Sequence, residues 1–214
     1  MIFSGFDFGS GYVAFMEYMR AGGTIMWVIL GISIATLAIV IERFIFFAMM
    51  SVNATRLEEA FVDAMSENAA SARQKMSLYR SSLGRLFEEA AANWNAAGDD
   101  LKNLLESGVR RELYKWQGNL HLIETAAKVS PLLGLLGTVL GMVEMFQTLS
   151  AGSAIDPAAV TGGIWKALFT TVAGLMVAIP AIMIHGLLSA RIGREEEKLL
   201  RGMDFIMREH TGRG

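Results

Sequence analysis

Three long apolar runs constrain this chain more than any other feature. Residues 24–41 (TIMWVILGISIATLAIVI) carry no charge and continue through Glu42-Arg43 into FIFFAMM. Residues 129–150 (VSPLLGLLGTVLGMVEMFQTLS) are broken by one charge, Glu144. Residues 164–190 form the third run, uncharged from 167 to 184, with Lys166 near its start. About 20 apolar residues span the ~30 Å hydrocarbon core of a bilayer. One such run is compatible with a buried helix of a soluble protein, but three in 214 residues are not. Composition agrees: 53% of residues are hydrophobic and 19% charged, where a soluble domain carries about 25% charge. The expected fold is an all-α integral membrane protein with three transmembrane helices.

Basic residues set the expected orientation, because Lys and Arg collect on the cytoplasmic side. Residues 1–23 hold one, Arg20, and 151–163 hold none. Residues 51–128 hold ten, and the tail after Ala190 holds six. The N-terminus and second loop are therefore expected outside (periplasmic), and the long first loop and C-terminal tail in the cytoplasm. The expected layout is an interfacial amphipathic segment at 1–22, spans at 23–49, 129–150 and 164–190, a cytoplasmic helical region at 50–128, a periplasmic loop at 151–163 and a cytoplasmic helical tail at 191–214. Residues 1–22 lack the basic start of a cleaved signal, and Asp7 and Glu17 interrupt them.

The cytoplasmic stretch reads as helical. Leu57, Phe61 and Met65 recur at helical spacing, as do Leu101, Leu105 and Val109. Asp99-Asp100 after Gly98 suits a helix start, where acids meet the positive dipole end. Residues 113–129 lead toward the second span with Gly118 as the one weak point, so one continuous helix is expected there. A helical continuation of the third span is expected over 195–209.

Polar side chains at membrane depth are candidates for function. Thr138 and Glu144 lie in the second span, and Lys166, Thr170 and Thr171 in the third. In an antiparallel hairpin Glu144 and Lys166 fall at similar depth, with Thr138 and Thr171 about 9 and 7.5 Å further in. Such a file on facing helices suits an ion path. Its structural counterpart is an ion pair and threonines bonded to the preceding turn. Gly134, Gly137 and Gly141 form a small-residue stripe that permits close helix contact with another subunit or a partner helix. Pro131 and Pro180 remove backbone bonds and need packed neighbours. One three-helix chain is not expected to bury both file and stripe, so a homo-oligomer is.

Several chemistries are disfavoured. There is no cysteine, His121, His185 and His210 lack metal-ligand spacing, and no phosphate-binding glycine loop occurs. A net charge of −2 gives nucleic acid no electrostatic support. No enzyme and no cofactor is expected.

The string SPLLGLLGTVLGMVEMF, followed by GGIWKALFTTVAGLMVAIPA, resembles the signature of the MotA/TolQ/ExbB proton-channel family, nearest the ExbB/TolQ branch. The first span ending in Ile41-Glu42-Arg43 and the long helical loop match as well. The resemblance implies a homopentamer in the bacterial inner membrane around a dimer of a single-span ExbD/TolR-like partner. It implies coupling of the proton-motive force to periplasmic work, such as TonB-dependent import through a TonB-like protein. Thr138 and Thr171 stand at the family's pore-facing threonines. The chain departs at Lys166, where ExbB and TolQ members commonly carry glutamate in Gly-Ile-x-Glu-Ala-Leu; Glu144 offers a carboxylate on the facing helix. A stand-alone ion channel or carrier and a structural membrane scaffold are the other readings.

Overall fold

The computed structural model describes residues 22–50, 54–150 and 157–213, together with Met16 and Met19. The expected interfacial helix at 1–22, apart from Met16, Met19 and Gly22, and residues 151–156 of the expected loop lie outside the described residues. Seven helices occur among those described: α1 (Gly23–Met50), α2 (Ala54–Glu67), α3 (Ala69–Ser77), α4 (Ser82–Ala92), α5 (Gly98–Gln117), α6 (Leu120–Ser150) and α7 (Pro157–Arg213). Three stretches are long and apolar enough to cross a membrane, matching the three runs in the sequence. Pro157 opens α7, a position where its missing N–H costs nothing. The helix therefore begins ahead of the span expected from 164. It continues unbroken to Arg213 and contains Pro180, as α6 contains Pro131.

The chain divides into two compact units. The first comprises residues 1–40 and 121–185. Many of its large side chains point outward: Ile34, Leu37, Leu132, Phe146, Trp165, Met176 and Met183 are all more than half exposed, although Met26, Ile29 and Ile123 are buried. Small residues such as Ala167, Ala178 and Ala181 are buried instead. This inversion of the soluble pattern suits helices surrounded by lipid or by other membrane helices.

The second unit comprises residues 41–120 and 186–214. Here large apolar side chains are inside. Leu57 and Phe61 of α2, Met76 of α3, Leu86 and Phe87 of α4, Leu101 and Leu105 of α5, and Leu199 and Ile206 of α7 form one core. Phe61 packs on Phe87 and Trp94, with ring centroids at 4.8 and 5.8 Å. Turns are capped locally. The Asn68 carboxamide accepts from Ser71 N–H at the start of α3, and the Ser81 hydroxyl accepts from Gly84 N–H at the start of α4. The acids Asp99 and Asp100 occupy the first turn of α5 as expected.

The junction of α5 and α6 differs from the expected continuous helix. Gly118 ends α5 with φ +29°. That conformation belongs to glycine, because a Cβ there is strained. A Cβ would also meet the Arg43 guanidinium. Arg43 donates from Nη1 to the carbonyls of Lys115 and Trp116, at 3.1 and 3.5 Å. It thereby supplies donors and positive charge to the C-terminal end of α5. Glu42 holds the same guanidinium through Nε and Nη2, at 2.7 and 2.6 Å. The Trp116 ring packs edge-on to Phe46 and Phe47, and its Nε1 donates to Ser82 Oγ at 2.8 Å. Glu112, one turn earlier, accepts from Arg85 Nε at 3.0 Å and from Lys115 Nζ at 2.6 Å. Burial alone pushes the Glu112 carboxyl up, but hydrogen bonds from Arg85, Lys115 and Ser82 outweigh it and hold the group below the usual carboxylate range.

Candidate ion path

Within the first unit, α6 and α7 form a close antiparallel hairpin, and glycines set how close. A Cβ on Gly174 would lie 2.4 Å from the Ser130 carbonyl oxygen, and one on Gly134 2.8 Å from that of Thr170. A Cβ on Gly137 would meet the Thr170 hydroxyl at 2.5 Å, and one on Gly141 the Ala167 Cβ at 3.2 Å. At the far end Gly163 faces Met145. The glycine stripe assigned from sequence to a neighbouring subunit or partner helix is thus filled by the chain's own third span. The expectation that one chain cannot bury it is corrected. The reason is that α7 presents small groups, Ala167, Thr170 and Gly174, at matching heights, which nothing in the α6 sequence alone reveals.

The threonines divide by environment. Thr170 is 1% exposed, and its hydroxyl is shared between the carbonyls of Ala167 at 2.7 Å and Gly134 at 3.2 Å. It is sealed inside the hairpin rather than open to a path, because its side chain fills the space left by Gly137. Thr171 is half-buried and donates to the same Gly134 carbonyl at 3.2 Å. Thr138 is half-buried and donates to Leu135 O on its own helix at 2.6 Å. Each hydroxyl therefore has its proton committed and its lone pairs available. An available lone pair on a membrane helix can accept from a passing hydronium or water, or coordinate a cation.

The pairings 130 with 174, 134 with 170, 141 with 167 and 145 with 163 define the register. That register brings the backbones of 144 and 166 to about the same height, and sets Thr171 beside Gly134, one turn of α6 inward of Thr138. The Glu144 side chain is exposed; that of Lys166 lies outside the described residues, so the expected outer layer rests on backbone register. At ~100° per residue, Glu144 also lies about 120° around α6 from Thr138, so the two do not share one narrow face. Pro131 and Pro180 sit inside continuous helices.

Sequence reasoning passed over a further pair. His185 Nε2 of α7 lies 4.0 Å from Glu124 Oε2 of α6. Glu124 also accepts from Lys128 Nζ at 2.6 Å. The available signal was the 14-residue spacing from Thr138 back to Glu124 and from Thr171 on to His185. Among the described residues, no cluster of His, Asp and Glu could hold a metal ion.

The profile of the MotA/TolQ/ExbB proton channel family matches residues 73–200, more than half of the chain. The chain belongs to that family. An ExbB-like biopolymer transport protein of Synechocystis is 36% identical over 166 residues, covering 76% of this chain and 79% of that protein. The Tol-Pal system protein TolQ of Haemophilus influenzae is 37% identical over 89 residues, covering 42% of this chain and 39% of its own. In fold, the chain resembles the solved structure of C. jejuni MotAB, with TM-score 0.60 over 89% of this chain and 74% of the other, at 16% identity. Family membership makes this a channel- and transport-associated membrane protein rather than a member of an enzyme family. The match covers the α6–α7 hairpin with all its threonines and stripe glycines. It also covers Lys166.

Proposed function

We propose that this chain is an ExbB/TolQ-like subunit of an ion-driven motor in the bacterial inner membrane. Several copies, five on the family pattern, enclose a single-span partner of the ExbD/TolR type that supplies a titrating aspartate. Ion flow past Thr138 and Thr171 drives the partner, and the work reaches the periplasm, with TonB-dependent import as the task nearest to the ExbB relatives. The N-terminus faces the periplasm, and the second unit and C-terminus face the cytoplasm.

The observation that carries this reading is the placement of Thr138 and Thr171. They lie about one turn apart in height on antiparallel helices, half-buried, with hydroxyl protons committed to carbonyls and lone pairs left over. Such hydroxyls can accept from a polar occupant beside them, which supports the ion-path reading over lipid contact. The surrounding exposed apolar residues offer surface to lipid, to further copies and to a partner helix.

The test is purification from the native membrane, followed by flux measurement in vesicles. A co-purifying protein with one span and a membrane aspartate is expected. Thr138→Ala and Thr171→Val are each expected to lower ion flux at least tenfold. Full flux in both variants would instead favour a structural scaffold, and full flux from the chain without any partner would favour a stand-alone channel.

A further inference from the structure

Glu124 and His185 close the hairpin at the end opposite Glu144 and Lys166. Their carboxylate and imidazole come from successive spans and approach to 4.0 Å. Each stands 14 residues from a threonine of the hairpin, Glu124 from Thr138 and His185 from Thr171. On an ideal helix, 14 residues correspond to ~21 Å of rise and to a turn within ~40° of the starting face. Glu124 and His185 therefore lie on nearly the same faces of their helices as the two threonines. Both lie at the surface of the chain, with side chains 45% and 28% exposed.

The surrounding charges are few. On α6, Lys128 holds the Glu124 carboxylate at 2.6 Å, and His121 lies less than one turn away. The Lys128 hydrogen bond, with help from His185 and His121, keeps Glu124 below the usual carboxylate range, so it is anionic at neutral pH. On α7 the nearest charged residues in sequence are Lys166 and Arg191, and residues 24–41 of α1 carry none. Imidazole is the side chain whose unperturbed titration falls near neutral pH.

We propose that Glu124 and His185 form a proton-transfer station at the inner mouth of the ion path. A ring-nitrogen lone pair of His185 takes the proton, the Glu124 carboxylate stabilises the resulting imidazolium, and the proton then leaves to water with no other bond changed. The station rests on the ion-path reading above and adds to it a group that exchanges protons with the aqueous side.

The alternative is a purely structural staple between the two helices. His185→Lys separates the two. Lysine keeps a cation beside Glu124, but with a pKa of about 10.4 it does not release its proton near pH 7. The experiment measures proton flux at pH 7 in vesicles holding the complex purified with its partner, comparing wild type, His185→Lys, His185→Gln, Glu124→Gln and Thr138→Ala. Thermal unfolding in detergent checks that each variant folds.

His185→Lys and His185→Gln are expected to lose at least tenfold in proton flux, and Glu124→Gln several-fold, with unfolding midpoints near wild type. Wild-type flux in folded His185→Lys would overturn the station. So would flux carried by a sodium gradient and indifferent to a pH gradient. Loss of flux in Thr138→Ala with full flux in His185→Lys would remove the station and keep the threonine path. The reverse result would keep the station and remove Thr138 from the path.

Discussion

The Thr170 hydroxyl reaches the Gly134 carbonyl at 3.2 Å across the α6–α7 hairpin. That contact exists because Gly137, less than one turn along, has no Cβ to hold Thr170 away. Threonine and glycine make one device: a small residue opens the space, and a hydroxyl occupies it and ties the helices together.

Substitution along the stripe is expected to grade with what a Cβ would meet. Gly134→Ala and Gly174→Ala drive a methyl group into backbone atoms, which cannot rotate away. Each is expected to cost about 1–3 kcal/mol through overpacking and to lower the unfolding midpoint in detergent. Gly162→Ala, with nothing within 4 Å of the added group, is expected to leave that midpoint unchanged.

Arg43→Ala is expected to destabilise the second unit by about 2–3 kcal/mol, because a buried charge-assisted cap is lost and Lys115 and Trp116 keep unpaired carbonyls. Gly118→Ala is expected to act in the same direction through strain at φ +29° and collision with the guanidinium. Trp116 packs against Phe46 and Phe47, so its fluorescence should report the loosening at lower denaturant concentration. An unchanged Trp116 signal in both variants would show that Arg43 does not hold this junction.

The Glu112 network gives a pH dependence. Its carboxyl is held below the usual range when folded, so the stabilisation is fully present above the unfolded-state value of about 4.3. It is lost as pH falls through the lower folded value. Wild type is therefore expected to lose stability on acidification below about pH 4.5. Glu112→Gln is expected to be less stable at pH 7 by about 2–3 kcal/mol, because Arg85 and Lys115 lose their buried anion. It should also show a flatter acid limb in melts followed by circular dichroism.

Phe61→Ala tests the core of the second unit. Phe61 is fully buried against Phe87 and Trp94. Truncation is expected to cost about 3–5 kcal/mol and to shift the Trp94 emission, while leaving the α6–α7 hairpin folded. Cooperative loss of both units on one curve would contradict their division.

Glu144→Gln and Lys166→Ala are each expected to lower ion-driven flux without unfolding the chain, if the outer polar layer takes part in the path. Full flux in both variants would assign Thr138 and Thr171 the path without it.

Much of the fold was legible because hydrocarbon imposes a one-dimensional rule: length and polarity of a run decide whether it can span a bilayer, and both are printed in the sequence. The three spans, the helical character of α2–α5, the start of α5 at Gly98 and family membership all follow from such local signals. The threonines and the glycine stripe were visible for the same reason. Which surface each faces was not. Gly134 and Gly137 look alike whether their neighbour is a second copy or the chain's own α7, and only the register of α6 against α7 decides. The break at Gly118 was hidden because one glycine inside a helical pattern is tolerated unless something stabilises its positive φ, and here Arg43 arrives from 75 positions earlier. Glu124 and His185 became a pair only when two antiparallel helices brought residues 61 positions apart to 4.0 Å. The sequence by itself determined which elements form, because apolar length and helical period act along the chain. The tertiary structure alone decided which polar groups meet, because that depends on register between helices.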